Sequence, residues 1–303
     1  MAQALADIEA APAEPGTLAL LDAAYASPRA HVVGITGPPG VGKSSLVSRL
    51  VQAYRQRERT IGVIAVDPSS RRTGGALLGD RTRLDVAPGD DGVFVRSMAS
   101  RGRLGGLAAL TPAAMVVMRA AYDVVLIETV GVGQAETEVA AVSDSVVLCV
   151  QPGSGDGLQY LKAGIAEIPD LAVVTKADLG ALARRTEDDL RAALALQPPR
   201  TAGWATPVLP VSAQEGHGIA ALIETLDRHR AVLANGRLEA QRRSQAASWL
   251  QAFVLEEFGR EGLMRAEPLI RDAGPAAEAS PFRCMRELDL TLRERAVRAS
   301  PKA

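Results

Sequence analysis

The sequence predicts an α/β fold, a mainly parallel sheet flanked by helices with a C-terminal helical extension, and three observations predict it. Short runs of Val, Ile and Leu recur along the first two thirds of the chain, separated by lengths that suit crossover helices. A glycine-rich segment, Gly37-Pro38-Pro39-Gly40-Val41-Gly42-Lys43-Ser44, stands after the first of these runs and before a helical stretch. From about residue 227 the runs stop and charged residues interleave with apolar ones at helical spacing.

Taken in order, residues 1–30 read as a short helical segment, partly disordered, with the Ala-rich residues 1–16 loosely ordered. Strands are expected at 31–36 (HVVGIT), 60–67 (TIGVIAVD), 123–129 (DVVLIET), 144–150 (DSVVLCV), 171–175 (LAVVT) and 207–212 (PVLPVS). Their apolar residues are nearly continuous rather than alternating, as strands covered on both faces require. These runs place a nucleotide-type domain at 31–230 and the helical extension at 231–303. Trp249, Leu250, Phe253, Val254 and Phe258 fall on one helical face. That face serves either packing on the chain's own domain or a dimerisation arm. The stretch holding Pro268, Gly274, Pro275 and Pro281 reads as irregular, ahead of a last charged helix near 283–298.

Composition narrows the function classes. The chain of 303 residues is 47 % hydrophobic but only 3 % aromatic, so its core is aliphatic. Thirty-four basic and 35 acidic side chains give a net charge of −1, which argues against nucleic acid or an anionic membrane as partner. Any anion site must therefore be local. Cys149 and Cys284 lie far apart, and Cys149 sits in an apolar run, so both read as reduced thiols. With an acidic opening stretch (Asp7, Glu9, Glu14) and no apolar run of about 18 residues, the expected location is the cytoplasm.

Residues 37–44 match the Walker A spacing in full, in a strand–loop–helix context, which makes the fold a P-loop NTPase. Glycines let the backbone wrap so that N–H groups and the helix N-terminus face phosphates, with Lys43 reaching the outer ones and the Ser44 hydroxyl on Mg²⁺. Glu128 closes a buried strand and is followed by Thr129, Val130 and Gly131, the pattern of a magnesium-side carboxylate beside a γ-phosphate-sensing turn; Gly133 and Gln134 extend it. Asp67 ends the second strand, before Pro68, Ser69, Ser70, Arg71, Arg72, Thr73, Gly74 and Gly75, with Asp80, Arg81 and Arg83 further on. These supply carboxylates and cations for a first switch. Thr175-Lys176-Ala177-Asp178 is one residue from the commoner Asn-headed pattern. A carboxylate at Asp178 can accept from the N1–H and exocyclic amine of guanine, a pair adenine lacks, while the Lys176 stem covers the base. Ser212-Ala213-Gln214 fits a backbone cradle for the guanine carbonyl.

The chain resembles the SIMIBI-class G proteins of the MeaB/ArgK type. The resemblance rests on GITGPPGVGKSS at 34–45, VDPSSRRTGGALLGDRTRL at 66–84, LIETVGVGQAETEVA at 126–140 and QPGSGDGLQYLKAGI at 151–165, within a likeness that spans about residues 20–260. It implies a homodimeric GTPase that gates cobalamin loading and protection of a partner adenosylcobalamin-dependent acyl-CoA mutase. It also implies Lys43, Ser44 and the adjoining Ser45 as phosphate-loop groups, Asp67, Asp80 and Glu128 as metal-side and switch carboxylates, and Asp178 as guanine reader. Residues 151–165 match a third switch, with Asp156 and Lys162 as its polar actors. Thr175 departs from the Asn of most relatives; without that side-chain amide to tie this loop to the phosphate loop, weaker nucleotide binding is expected. The N-terminal helical region is shorter than in many relatives.

No glutamine follows Gly131 directly, so unaided hydrolysis is expected to be slow, with Gln134, Asp80 or a partner-ordered residue completing the site. A GTPase that inserts nickel or zinc would own thiolate and imidazole ligands, yet the histidines are His31, His217 and His229 and no Cys-x-x-Cys exists. The same loop would also serve a P-loop kinase or ATPase, or a nucleotide-gated binding module with negligible turnover. No Asp-x-His-x-x-Gly signature is present, so cobalamin is expected to stay on the partner.

Overall fold

The computed structural model of the chain describes residues 1–67, 89–99, 110–129, 138–153 and 169–299. Among them, seven strands form one sheet: β1 (His31–Thr36), β2 (Ile61–Asp67), β3 (Val93–Ala99), β4 (Val124–Glu128), β5 (Ser145–Val150), β6 (Leu171–Val174) and β7 (Val208–Pro210). Their order is β3-β2-β4-β1-β5-β6-β7, and every neighbouring pair is parallel. All residues of β1, β4, β5 and β6 are buried, which is why these runs carry no polar alternation. The α/β class with a parallel sheet is therefore the fold observed.

Helices α1 (Ala2–Ala10), α2 (Pro15–Ala26), α3 (Lys43–Arg55), α4 (Thr111–Ala121), α5 (Ala181–Leu194), α6 (Ile219–Val232), α7 (Arg237–Ala279) and α8 (Pro281–Ala299) cover the sheet and extend it. On one face Leu46, Val47 and Leu50 of α3 and Leu222, Ile223 and Leu226 of α6 pack on β1, β2 and β4. On the other face α1, α2 and α4 meet Val32, Ile64, Val125 and Ile127, joined by Ala246, Trp249 and Phe282 of the C-terminal helices. A cavity of about 540 Å³ lies between α2, α4, α7 and α8, away from the glycine-rich loop, with Leu18, Leu21, Trp249, Phe253 and Phe282 in its wall.

Three expectations need correction. The opening residues are not loosely ordered: α1 and α2 bury Leu5, Ile8, Leu18 and Leu21 in the main cluster. Burial of these side chains outweighs the low sequence complexity. The proline-bearing stretch 268–279 is helical within α7, because Leu269 and Ile270 join Leu250, Val254 and Ala266 in packing against Cys284, Leu288 and Leu292 of α8. Tertiary packing overrides the local cost of a proline. Strand β3 was not expected: Arg96 and Ser97 interrupt its apolar run, and as an edge strand it needs only one partner, β2.

Helix α7 is tied to the sheet by polar contacts as well. Arg242 donates to both oxygens of the buried Asp144 (2.9 and 2.7 Å), which also accepts from the Val32 N–H at 2.8 Å. Trp249 Nε1 donates to the Ala141 carbonyl at 2.7 Å. At the opposite end of the sheet from the glycine-rich loop, Ser145 Oγ lies 2.7 Å from His31 Nε2 and 2.6 Å from His229 Nδ1, and His229 Nε2 lies 3.4 Å from Asp170. Ser145 has no solvent exposure, so this line of groups is structural and no substrate reaches it.

Candidate nucleotide site

The sheet order reverses at β1, which lies between β4 and β5, and the crevice beyond its carboxyl end is where ligands bind in open α/β sheets. The glycine-rich loop leaves β1 at that point and enters α3. Gly37 has φ +135°, and a Cβ there would overlap the Cys149 carbonyl oxygen. Gly42, at φ +101°, caps α3 in the left-handed region. Both positions therefore demand glycine. The N-terminus of α3 opens onto the loop, and the positive end of a helix dipole favours an anion there.

Lys43 is buried, and its Nζ donates to the carbonyls of Gly37 (2.7 Å) and Pro38 (2.9 Å), inside the loop's concavity. The Ser44 hydroxyl donates to Glu128 Oε1 at 2.6 Å. Glu128 closes β4, whose register with β1 sets it beside Ile35, directly below the loop. Ser45 follows on the exposed side of α3. Thr129 Oγ1 lies 3.1 Å from Thr36 Oγ1, linking the ends of β4 and β1. The Cys149 thiol under the loop is fully buried, and burial pushes its pKa up to about 12, so it acts as packing and not as a nucleophile.

The second half of the site hangs from β6 and β7. Thr175 Oγ1 donates to the Val41 carbonyl (2.8 Å), with the Val150 carbonyl 3.1 Å away. The expected loss of the tie to the phosphate loop is thus corrected: a hydroxyl makes the contact expected of an amide. Lys176, in the left-handed conformation at φ +53°, donates to the Gly40 carbonyl (3.3 Å) and Gln151 Oε1 (2.7 Å). Ser212 Oγ donates to Asp178 Oδ1 at 2.6 Å. Arg49 of α3 donates through Nε to the Ala213 carbonyl (2.5 Å) and through Nη2 to the Gln214 carbonyl (3.0 Å).

The structure so brings Lys43, Ser44 and Glu128 together on one side of Gly37–Gly42, and Lys176, Asp178, Ser212, Ala213 and Gln214 on the other. Asp67 ends β2, two strands from β1 in the sheet. Asp80 and Gln134 lie outside the described residues, as do Arg71, Arg72, Arg81, Arg83, Asp156 and Lys162. Sequence reasoning gave no role to Arg49 or Gln151: no motif marks Arg49, Gln151 only heads the 151–165 segment, and both act on groups distant in the chain. Among the described residues no group of three His, Cys, Asp or Glu side chains is placed to hold a metal by itself.

A seven-stranded parallel sheet with a glycine-rich loop at its switch point, and a Lys-Ala-Asp turn hydrogen-bonded to that loop, defines a P-loop nucleotide-binding protein of the GTPase class. A family model described as methylmalonyl Co-A mutase-associated GTPase MeaB matches residues 1–265. The chain belongs to this family and is a GTPase. A Pyrococcus abyssi protein named as a GTPase is 46 % identical over 228 residues, covering 74 % of this chain and 70 % of that protein. The mouse protein named methylmalonic aciduria type A homolog, mitochondrial, is 39 % identical over 254 residues, covering 81 % of this chain and 60 % of its own length. Among solved structures, one titled LAO/AO transport system kinase superposes with a TM-score of 0.68 at 28 % identity, covering 96 % of this chain and 92 % of that one.

Proposed function

We propose that this GTPase hydrolyses GTP to GDP to gate adenosylcobalamin loading onto, and protection of, a partner acyl-CoA mutase of the methylmalonyl-CoA or 2-hydroxyisobutyryl-CoA type. The observation that supports the nucleotide part is the hydrogen-bonded join between the two halves of the site, Thr175 to Val41 and Lys176 to Gly40, which sets the turn we read as base-binding against the loop we read as phosphate-binding. Support for the mutase comes from the family description.

In this reading the N–H groups of residues 37–45 and the Lys43 ammonium hold the phosphates, and Lys43 stabilises charge developing on the departing phosphoryl group. The donor set beside it, a hydroxyl and a carboxylate oxygen 2.6 Å apart, consists of hard oxygen ligands and suits Mg²⁺. Ser44 and Glu128, with Asp67 and Asp80, would hold that ion, which when bound neutralises phosphate charge. Asp178, oriented by Ser212, reads the guanine edge, Lys176 covers its face, and the backbone of Ser212–Gln214 meets its carbonyl. Gln134 or Asp80 completes water positioning once a partner orders the site.

We assign the protein to the cytoplasm, in keeping with two unpaired, buried cysteines, and to a homodimer built on residues 231–303. Leu255, Met264 and Leu290 are exposed apolar side chains on those helices. Phosphate release measured with and without a purified adenosylcobalamin-dependent mutase tests the proposal. Slow turnover alone and a marked rise with the mutase are expected; equal rates would contradict the gating role.

A further inference from the structure

We propose that Arg49 is the positioning residue for base recognition, coupling the helix headed by the phosphate loop to the backbone that meets the purine. The proposal rests on the nucleotide reading given above and adds to it a residue that no motif marks.

Arg49 sits on α3 and is half-buried. Its Nε–H and Nη2–H reach the carbonyls of two consecutive residues, Ala213 at 2.5 Å and Gln214 at 3.0 Å, across 164 and 165 positions of sequence. Its Nη1–H donates to Gln52 Oε1 at 3.2 Å, one turn along the same helix, which fixes the plane of the guanidinium. A planar fork with several donors can hold two carbonyls at once, whereas an ammonium on a flexible stem cannot hold both in fixed directions.

The consequence lies in peptide geometry. In a trans peptide the N–H points opposite the carbonyl. With the Ala213 carbonyl turned toward α3, the Gln214 N–H is turned away from it. With the Gln214 carbonyl held as well, the Glu215 N–H is directed to Ser212 Oγ at 3.2 Å, the same hydroxyl that donates to Asp178. One guanidinium therefore sets two peptide planes of the cradle and, through Ser212, supports the carboxylate that reads guanine. None of these contacts touches the loop that holds phosphates, so loss of Arg49 weakens the grip on the base and leaves the grip on phosphate intact.

The test uses the full-length chain with magnesium and two probes, GDP and inorganic pyrophosphate, titrated calorimetrically into wild type, Arg49→Ala and Arg49→Lys. For Arg49→Ala the GDP Kd rises about tenfold, the scale of one or two hydrogen bonds to a charged group, while pyrophosphate affinity stays within about twofold. Arg49→Lys recovers part of the GDP affinity. In turnover assays the alanine variant shows a KM raised about tenfold at a kcat within about twofold of wild type. Should the alanine variant fail to fold, the lysine variant carries the test, with a GDP loss of about threefold and unchanged pyrophosphate binding. Equal weakening toward both probes, or a fall in kcat alone, would show a merely structural role for Arg49 and overturn the proposal. Unchanged GDP affinity in both variants would overturn it too, with the nucleotide reading left standing. A wild-type chain that binds no GDP would overturn both.

Discussion

At the scale of single residues, the site depends on contacts that differ in how replaceable they are. Gly37 combines φ +135° with a backbone oxygen where a Cβ would sit, so Gly37→Ala strains the loop by on the order of 1–3 kcal/mol and should weaken nucleotide binding by roughly 5- to 150-fold in a fluorescence titration. Thr175 is more forgiving. Its hydroxyl is the tie from β6 to the Val41 carbonyl, so the nearly isosteric Thr175→Val should weaken GDP binding by about 1 kcal/mol, roughly fivefold, while Thr175→Asn keeps a donor and the wild-type affinity. These residues also show where sequence reading stops. The Walker A spacing announces its own geometry because the constraint is local, one turn demanding glycines and one helix end. The Thr175 hydroxyl could not be read the same way: its partner is a carbonyl 134 positions earlier, and only the folded sheet decides whether a shorter side chain reaches it. Arg49 is the extreme case, a residue with no motif whose partners are backbone atoms.

At the scale of elements, the strands legible in the sequence are those enclosed on both faces, where the need for burial leaves only aliphatic residues. Strand β3, at the edge, tolerates Arg96 and was missed for that reason; helix α7 tolerates Pro268 because its partner α8 supplies what local propensity lacks. Where β1 meets β5 and α6, the packing depends on the His31 imidazole being uncharged. Burial drives the His31 pKa down to about 4; nearby Asp144 acts in the opposite direction, and Arg230, His229 and Arg242 reinforce the fall. A group with a folded pKa below its unfolded value of 6.5 stabilises the fold fully above pH 6.5, and that contribution drains away as pH falls toward 4. The loss amounts to about 3 kcal/mol. Asp144 and Asp170 also have lowered pKa values: burial raises them, but hydrogen bonds and charge from Arg242 on Asp144, and from His229 and Arg200 on Asp170, prevail. Their contribution holds above the ordinary carboxylate pKa and is lost only at lower pH than the histidine's. Urea denaturation from pH 7 to 4.5 should accordingly show a decline that flattens in His31→Gln, with a lower but less pH-dependent midpoint.

At the scale of the whole molecule, we propose the division into residues 1–30, 31–230 and 231–303 as segments arranged around a shared core rather than units that fold apart. Trp249 and Phe282 lie in the same cluster as Leu5 and Leu21, and Arg242 pairs with the buried Asp144. A chain ending at residue 230 would lose two aromatic side chains worth about 1.5–3 kcal/mol each and leave a buried carboxylate unpaired at a cost of about 3–5 kcal/mol. Set against a typical stability of about 5–15 kcal/mol, that loss should abolish a cooperative thermal transition, which circular dichroism would register. A truncated chain melting with wild-type cooperativity would instead establish residues 31–230 as self-sufficient.

The same molecule-wide arrangement sets the Lys176–Asp178 turn against the glycine-rich loop, and the account stands or falls on the proposal that Asp178 selects the base bound there. Calorimetry with GDP and ADP, magnesium present, on the wild-type chain and on Asp178→Ala tests it most directly. The account predicts heat with GDP and none with ADP for the wild type, and loss of that preference in the variant with its fold intact. ADP binding as tight as GDP, or a variant that keeps its preference for guanine, would contradict it.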